Sequence, residues 1–260
     1  MALLFQVLAS GSKGNAVLVS SPKTRILLDA GLSAKELVKR LDRTSVEARL
    51  LDGIVITHEH QDHVRGAGVL SRRFSLPVHL SEGTFNGLPR QVGTFAHRCF
   101  FTPGEPFQIG DLLIQPFSTS HDARDPAAFI IEHEGTRLGV CTDLGVVTQL
   151  VRARLQGCHG LVIEANHDLA QLLDGPYPWH LKQRIRSRHG HLSNADTCEL
   201  LKEIHHPHLR AVTFAHLSEV NNHPTLVTKA FKETLCAPEW ESVSFAIAEQ
   251  HVTSKPVELN

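Results

Sequence analysis

The sequence predicts a layered α/β sandwich, two β-sheets packed face to face with helices outside. Three observations carry the prediction. Short runs of branched aliphatic residues, broken by Gly and Pro, recur along the whole chain. Segments of helical period follow strand-like runs in both halves. The run LDGIVIT (51–57) is continuously apolar through its centre, as suits a strand covered on both faces.

Taken in order, LLFQVLA (3–9), NAVLVS (15–20) and RILLDAG (25–31) read as three successive strands. SAKELVKRL (33–41) changes period. Ala34, Leu37, Val38 and Leu41 share one helical face, and Ser33 with Glu36 forms a capping box. LDGIVIT adds a strand and HVRGAGVL (63–70) a helix. AAFIIEHEGTRLGVCTD (127–143) is a hairpin turning at Glu134-Gly135. A helix in VVTQLVRARLQ (146–156) and a strand in GLVIEA (160–165) precede an irregular stretch. The helix NADTCELLKEI (194–204), the strand RAVTFAH (210–216), the helix PTLVTKAFKETL (224–235) and the strand SVSFAIA (242–248) complete the pattern. No linker divides residues 1–260, so one domain is expected.

Bulk composition excludes several classes. With 26 Lys+Arg against 27 Asp+Glu the net charge is −1, so any nucleic-acid contact must use a local patch. The five cysteines form no C-x-x-C pair and read as reduced thiols, neither a disulfide frame nor a zinc-thiolate site. The opening MALLFQVLASGSKG has no cation before Lys13, so it lacks the charged start of a signal peptide. No apolar run approaches membrane-spanning length. The expected location is cytoplasmic, with no membrane partner. The unusual count is 18 histidines, the residue most used to hold metals.

Those histidines concentrate in THEHQDH (57–63), where the apolar strand ends. His58 and His60, two apart in extended chain, point the same way and can hold one ion. The following turn re-aims Asp62 and His63 toward a neighbouring point. Imidazole with carboxylate suits zinc, manganese or iron. Two adjacent ions polarise an ester or phosphoryl oxygen and activate water.

This H-x-H-x-D-H segment resembles the signature of the metallo-β-lactamase-fold hydrolases. The resemblance implies a four-layer αβ/βα sandwich, and its remaining ligands follow in order: Asp29 in ILLDAG, His121 in PFSTSHDA, Asp143 in LGVCTDLG and His216 in VTFAHLS. By that resemblance His58, His60 and His121 bind one divalent metal, and Asp62, His63 and His216 bind a second. Asp143 stands between them and Asp29 orients the histidine loop from behind.

GHLSNADTCELLKEI leading into RAVTFAHLS is similar to the nuclease branch, which implies that His191 is a general acid at the leaving oxygen. LASGSKGN and EANHDLAQLLDGPYPWHLKQRIRSRHGHLSN resemble the YycJ/WalJ-like group, associated with 5′-to-3′ exonuclease action on DNA. The likeness runs from about Ala9 to Asn222. Only compact α/β units separate Asp143 from His216, so the large insertion of the β-CASP nucleases is not expected.

The residues around the presumed acid fit a nucleic-acid substrate, and in particular DNA ends. Lys182, Arg184, Arg186 and Arg188 can meet backbone phosphates, and Tyr177 and Trp179 can stack on bases. The same cations also fit a solvated helical face, and Trp179 a core plug. Ser10, Ser12 and Asn15 can line the rim or touch phosphate, although SGSKGN also fits a turn that needs glycine. Asp62 or Asp143 would orient the attacking water, with His191 protonating the departing oxygen. The alternative is a small-molecule hydrolase on the same metals: a thioesterase, a lactonase or a cyclic-nucleotide phosphodiesterase.

Overall fold

A computed structural model describes residues 3–259. The chain first lays down six strands, β1 (Leu3–Ala9), β2 (Ala16–Ser20), β3 (Arg25–Leu28), β4 (Gly53–Val55), β5 (Pro77–Leu80) and β6 (His97–Phe100). Seven more follow: β7 (Phe107–Ile109), β8 (Leu112–Ser118), β9 (Ala127–His133), β10 (Thr136–Cys141), β11 (Gly160–Glu164), β12 (Ala211–Ala215) and β13 (Ser244–Ile247). The last strand, β14 (Val257–Leu259), returns to pair antiparallel with β1.

Two seven-stranded sheets result, ordered β14-β1-β2-β3-β4-β5-β6 and β13-β12-β11-β10-β9-β8-β7. Each is antiparallel at one end and parallel at the other. β3 to β6 run parallel in the first sheet and β10 to β13 in the second. One core lies between the sheets, where Phe5, Val19, Leu28 and Val55 face Ile114, Phe129, Leu138 and Val162. A second packs helices Gln149–Leu155, Asn194–Ile204 and Pro224–Thr234 on the outside of the second sheet. A third packs helices Ala34–Asp42 and Ala67–Phe74 on the first. Helix, sheet, sheet and helix stack in that order, giving the expected four layers.

Most of the expected elements are present, and three differ. The helix expected over 63–70 is two helices, Gln61–Val64 and Ala67–Phe74. They part at Gly66, where a Cβ would lie 2.4 Å from the Leu32 carbonyl oxygen. Ser33 does cap its helix through Glu36 N, but the Glu36 carboxylate turns to Arg40 at 3.0 Å instead of closing a box. The reciprocal box belongs to Ser193 and Asp196. The stretch after β11 is not irregular either, for it folds as helices Leu169–Asp174 and Trp179–Ile185. The hairpin does turn at Glu134-Gly135, with φ of 48° and 84°. Both values are positive, the backbone of a two-residue hairpin loop.

Parallel strands bring their carboxyl ends to one rim, the usual place for a site in α/β layers. The ends of β3, β4, β8, β10, β11 and β12 and the segments that follow them converge there, and they carry Asp29, His58–His63, His121, Asp143, Glu164 and His216.

Candidate metal centre and active site

Three of these residues hold a backbone that side chains other than glycine rarely adopt. Asp29, Asp143 and His216 have φ of 60°, 58° and 56°. Each follows a strand, and the left-handed turn swings its side chain back over the strand end. Such conformations cost on the order of 1–3 kcal/mol each and persist where surrounding contacts enforce them. The enforcing contacts are present. Asp29 N donates to Val55 O at 2.8 Å, Asp143 N to Glu164 Oε1 at 3.2 Å, and His216 N to Ser10 Oγ at 2.6 Å.

The side chains form two adjoining groups. In one, His58 Nε2 lies 3.0 Å from His60 Nδ1, which lies 3.3 Å from His121 Nε2. In the other, Asp62 Oδ2 is 3.4 Å from His63 Nε2 and 3.6 Å from His216 Nε2. Asp143 reaches both, with Oδ2 3.3 Å from His63 Nε2 and Oδ1 3.7 Å from His121 Nε2. His63 Nδ1 is held 2.7 Å from Asp29 Oδ2, while Asp29 Oδ1 accepts from Thr57 N at 2.9 Å. Asp29 therefore fixes both the ring and the loop that carries it, leaving Nε2 for the centre.

Nitrogen lone pairs that face each other at 3.0–3.3 Å repel unless a proton or cation lies among them. His216 Nε2 and Asp143 Oδ2 are buried with no hydrogen-bond partner. Groups His58/His60/His121, Asp62/His63/His216 and His58/His63/Asp143 each offer ligand atoms within 4.8 Å of one another. A hard-to-borderline divalent cation satisfies this donor set, which contains nitrogen and oxygen and no thiolate.

Charge within the centre points the same way. Burial alone would drive the His63 ring neutral, but the Asp29, Asp143 and Asp62 carboxylates hold its pKa well above the ordinary imidazole range. Burial is outweighed at His216 too, where Asp143, Asp62 and Glu164 raise the pKa to about 10. Burial pushes His58 and His121 down. The carboxylates thus make the centre a place that favours positive charge, which a bound cation would supply.

Glu164, which the sequence reading passes over, organises one wall of the centre. Its carboxylate is fully buried at the end of β11. Oε1 lies 2.8 Å from both His191 Nδ1 and His216 Nδ1, and Oε2 accepts from Leu144 N and Leu192 N at 3.0 Å. Against the penalty of burial, His191 and His216 lower the Glu164 pKa to about 2. In return Glu164 raises that of His191 in spite of burial. His191 is thereby fixed through Nδ1, its Nε2 is left free, and its pKa is raised beside the Glu164 and Asp143 carboxylates. The one signal in the sequence is a lone acid ending the otherwise apolar run GLVIE.

The remaining residues divide. Ser12, Tyr177, Arg184 and His191 line a cleft of about 260 Å³ over the centre, together with Asp122, Leu181 and Ile185. Ser10 is buried and serves the His216 backbone. Asn15 accepts from Gly11 N through Oδ1 and offers Nδ2 to Asp62 Oδ2 at 3.3 Å. Lys182 is buried with its ammonium on the Leu173 carbonyl, away from the cleft. Trp179 is 60% exposed and is no core plug. Arg184 Nε donates to Asp122 Oδ2 at 2.6 Å on the cleft wall. Arg186 lines a neighbouring groove that also touches His191, and Arg188 is exposed.

Residues 24–216 match the model of the beta-lactamase superfamily domain. The exodeoxyribonuclease YycJ of Bacillus anthracis is 34% identical over 251 residues, covering 96% of this chain and 93% of that protein. The exodeoxyribonuclease WalJ of Streptococcus pneumoniae strain D39 is 35% identical over 234 residues, 86% of this chain and 87% of that one. Among solved structures, the metallo-β-lactamase-fold protein YhfI from Bacillus subtilis superposes with a TM-score of 0.75 at 17% identity, covering 99% of this chain and 100% of its own.

Proposed function

The chain belongs to the beta-lactamase superfamily and within it to the YycJ/WalJ group, and from that premise we propose that it is a metal-dependent phosphodiesterase that degrades DNA from its 5′ ends. The observation that carries the reading is His191, whose Nδ1 lies 2.8 Å from Glu164 Oε1 beside Asp143 and whose pKa those carboxylates raise. A sugar alkoxide is a poor leaving group and needs a proton as the bond to phosphorus breaks. A departing thiolate needs none, so this acid favours a phosphodiester over a thioester.

His58, His60 and His121 would hold one divalent ion and Asp62, His63 and His216 a second, with Asp143 between them. Such ions, zinc, manganese or iron, supply Lewis-acid polarisation of the phosphoryl group and a more acidic water. The chain's own residues do the rest. Asp62 and Asp143 orient the attacking water, with Asn15 steadying Asp62 from the adjacent loop. His191 donates from Nε2 to the departing 3′-oxygen while Glu164 neutralises the imidazolium before transfer. Tyr177, Leu181 and Ile185 give the cleft an apolar wall for a base, and Arg184 gives it a cation for phosphate. The five unpaired cysteines suit a reducing, cytoplasmic setting. Among the described residues no helix is long and apolar enough to cross a membrane.

The test is digestion of 5′-labelled and 3′-labelled DNA with manganese, beside Asp143→Ala. Stepwise loss of nucleotides from the 5′ end, absent in the variant, is the expected result. If wild type holds metal yet cleaves only thioesters or lactones, the small-molecule hydrolase replaces the nuclease.

A further inference from the structure

Between His63 and Phe101 the chain carries Arg65, Arg72, Arg73, Arg90 and Arg98 against one acid, Glu82. All five arginines are exposed, and among the described residues none pairs with a carboxylate. This lobe is locally basic in a chain of net charge −1. Within it, the Arg98 guanidinium packs on two aromatic rings, 4.3 Å from the Phe85 centroid and 5.0 Å from that of Phe100. The rings meet edge to face at 5.6 Å, and Phe100 is 51% exposed. This half-exposed phenyl at the end of an edge strand belongs to none of the three cores.

The cluster is continuous with the active site. β4, β5 and β6 run parallel, with Val55 opposite His79 and Leu80 opposite Phe100. Phe100 therefore ends its strand on the same rim as the His58–His63 loop, in a strand two spacings, about 10 Å, from β4. Helix Glu82–Gly87, which carries Phe85, closes the gap. A Cβ on its Gly87 would lie 2.7 Å from Glu59 Cγ and 2.9 Å from Arg124 Cδ, so the helix touches the loops of both His60 and His121. Glu59 Oε1, in turn, accepts from Arg124 N at 2.8 Å.

We propose that Phe85, Arg98 and Phe100 form a stacking platform for the single strand of DNA that leaves the metal cleft, with bases on Phe100 and phosphates on the surrounding arginines. Alternating ring faces and cations suit a base-and-phosphate polymer without sequence preference. The inference rests on the nuclease reading and adds a second contact to it.

The test is binding of a fluorescent 15-nucleotide single strand with phosphorothioate linkages, which resist cleavage, to the full-length metal-loaded protein. Phe100→Ala is expected to weaken binding roughly 5- to 150-fold, the size of one lost base stack. Arg98→Lys keeps the charge and should weaken binding with the salt dependence unchanged, whereas Arg98→Ala should also flatten it, by up to about 0.7 in the log–log slope. The loss should grow with strand length and be absent for thymidine 5′-p-nitrophenyl phosphate, a diester too small to reach the platform. Equal affinity of wild type and Phe100→Ala for the strand overturns the platform and leaves the nuclease standing. A Phe100→Ala protein that changes from dimer to monomer with DNA affinity intact also overturns it and makes the open edge of β6 a contact between copies. Failure of wild type to bind any strand while it cleaves the small diester overturns the nuclease reading instead.

Discussion

At the scale of single residues, the centre depends on a few groups that hold others. Glu164 is the clearest, because its carboxylate oxygens meet only donors: three backbone N–H groups and the Nδ1 atoms of His191 and His216. An amide in its place would turn an NH2 toward those donors. Glu164→Gln is therefore expected to reduce DNA hydrolysis roughly 10- to 100-fold, the usual loss for a group that orients a metal ligand. Metal content and rate measured on the same sample check it. His58, His60, Asp62 and His63 are legible from their spacing as a candidate metal segment, whereas Asp29, His121, Asp143 and His216, scattered singly along the chain, enter only through the resemblance to the metallo-β-lactamase-fold hydrolases. Glu164 is not legible, because a single acid among GLVIE looks like an ordinary strand terminus until its burial is known. Nor could spacing tell the sides of the SGSKGN loop apart. Ser10 turns inward to the His216 backbone and Ser12 outward to the cleft, a distinction made by the backbone path and not by composition.

At the scale of elements, strands with both faces covered were legible and strands at sheet edges were not. β4 and β11 are buried along their whole length and so read as apolar runs, broken in β11 only by its last residue, Glu164. β6 lies at a sheet edge with mostly exposed residues, and β14 is a three-residue strand held by its register on β1. Such strands exist because a neighbour offers hydrogen bonds, which composition does not report. Helices Leu169–Asp174 and Trp179–Ile185 escaped for a related reason. With six and seven residues, interrupted by Gly175 and Pro178, they are too short to show a period. Helix Asn194–Ile204 was legible throughout, and its Ser193–Asp196 box matters to function because it starts two residues after His191. Ser193→Ala is expected to cost about 1 kcal/mol. Thermal unfolding should then shift down by roughly 2–4 °C, and DNA hydrolysis should fall with it as the His191 loop loosens.

At the scale of the whole molecule, the two sheets each supply half of the centre. The first brings Asp29 and His58–His63, the second His121, Asp143, Glu164 and His216, and neither half is complete alone. A cation bound by residues from both halves would tie the sheets together. Metal at a hundredfold excess over its dissociation constant should stabilise the chelated protein by about 2.7 kcal/mol. That corresponds to a rise in melting temperature of roughly 5–10 °C, read by calorimetry with and without chelator. The central claim is that His191, supplied by the loop beyond β11, protonates the leaving oxygen of a substrate held over the metals. Leaving-group dependence tests it most directly: turnover of single-stranded DNA and of thymidine 5′-p-nitrophenyl phosphate by wild type and His191→Gln. A sugar alkoxide needs the proton and p-nitrophenolate does not, so the variant should lose roughly 10²- to 10⁴-fold on DNA and far less on the aryl ester. An equal loss on both substrates would contradict the assignment of His191 as the acid.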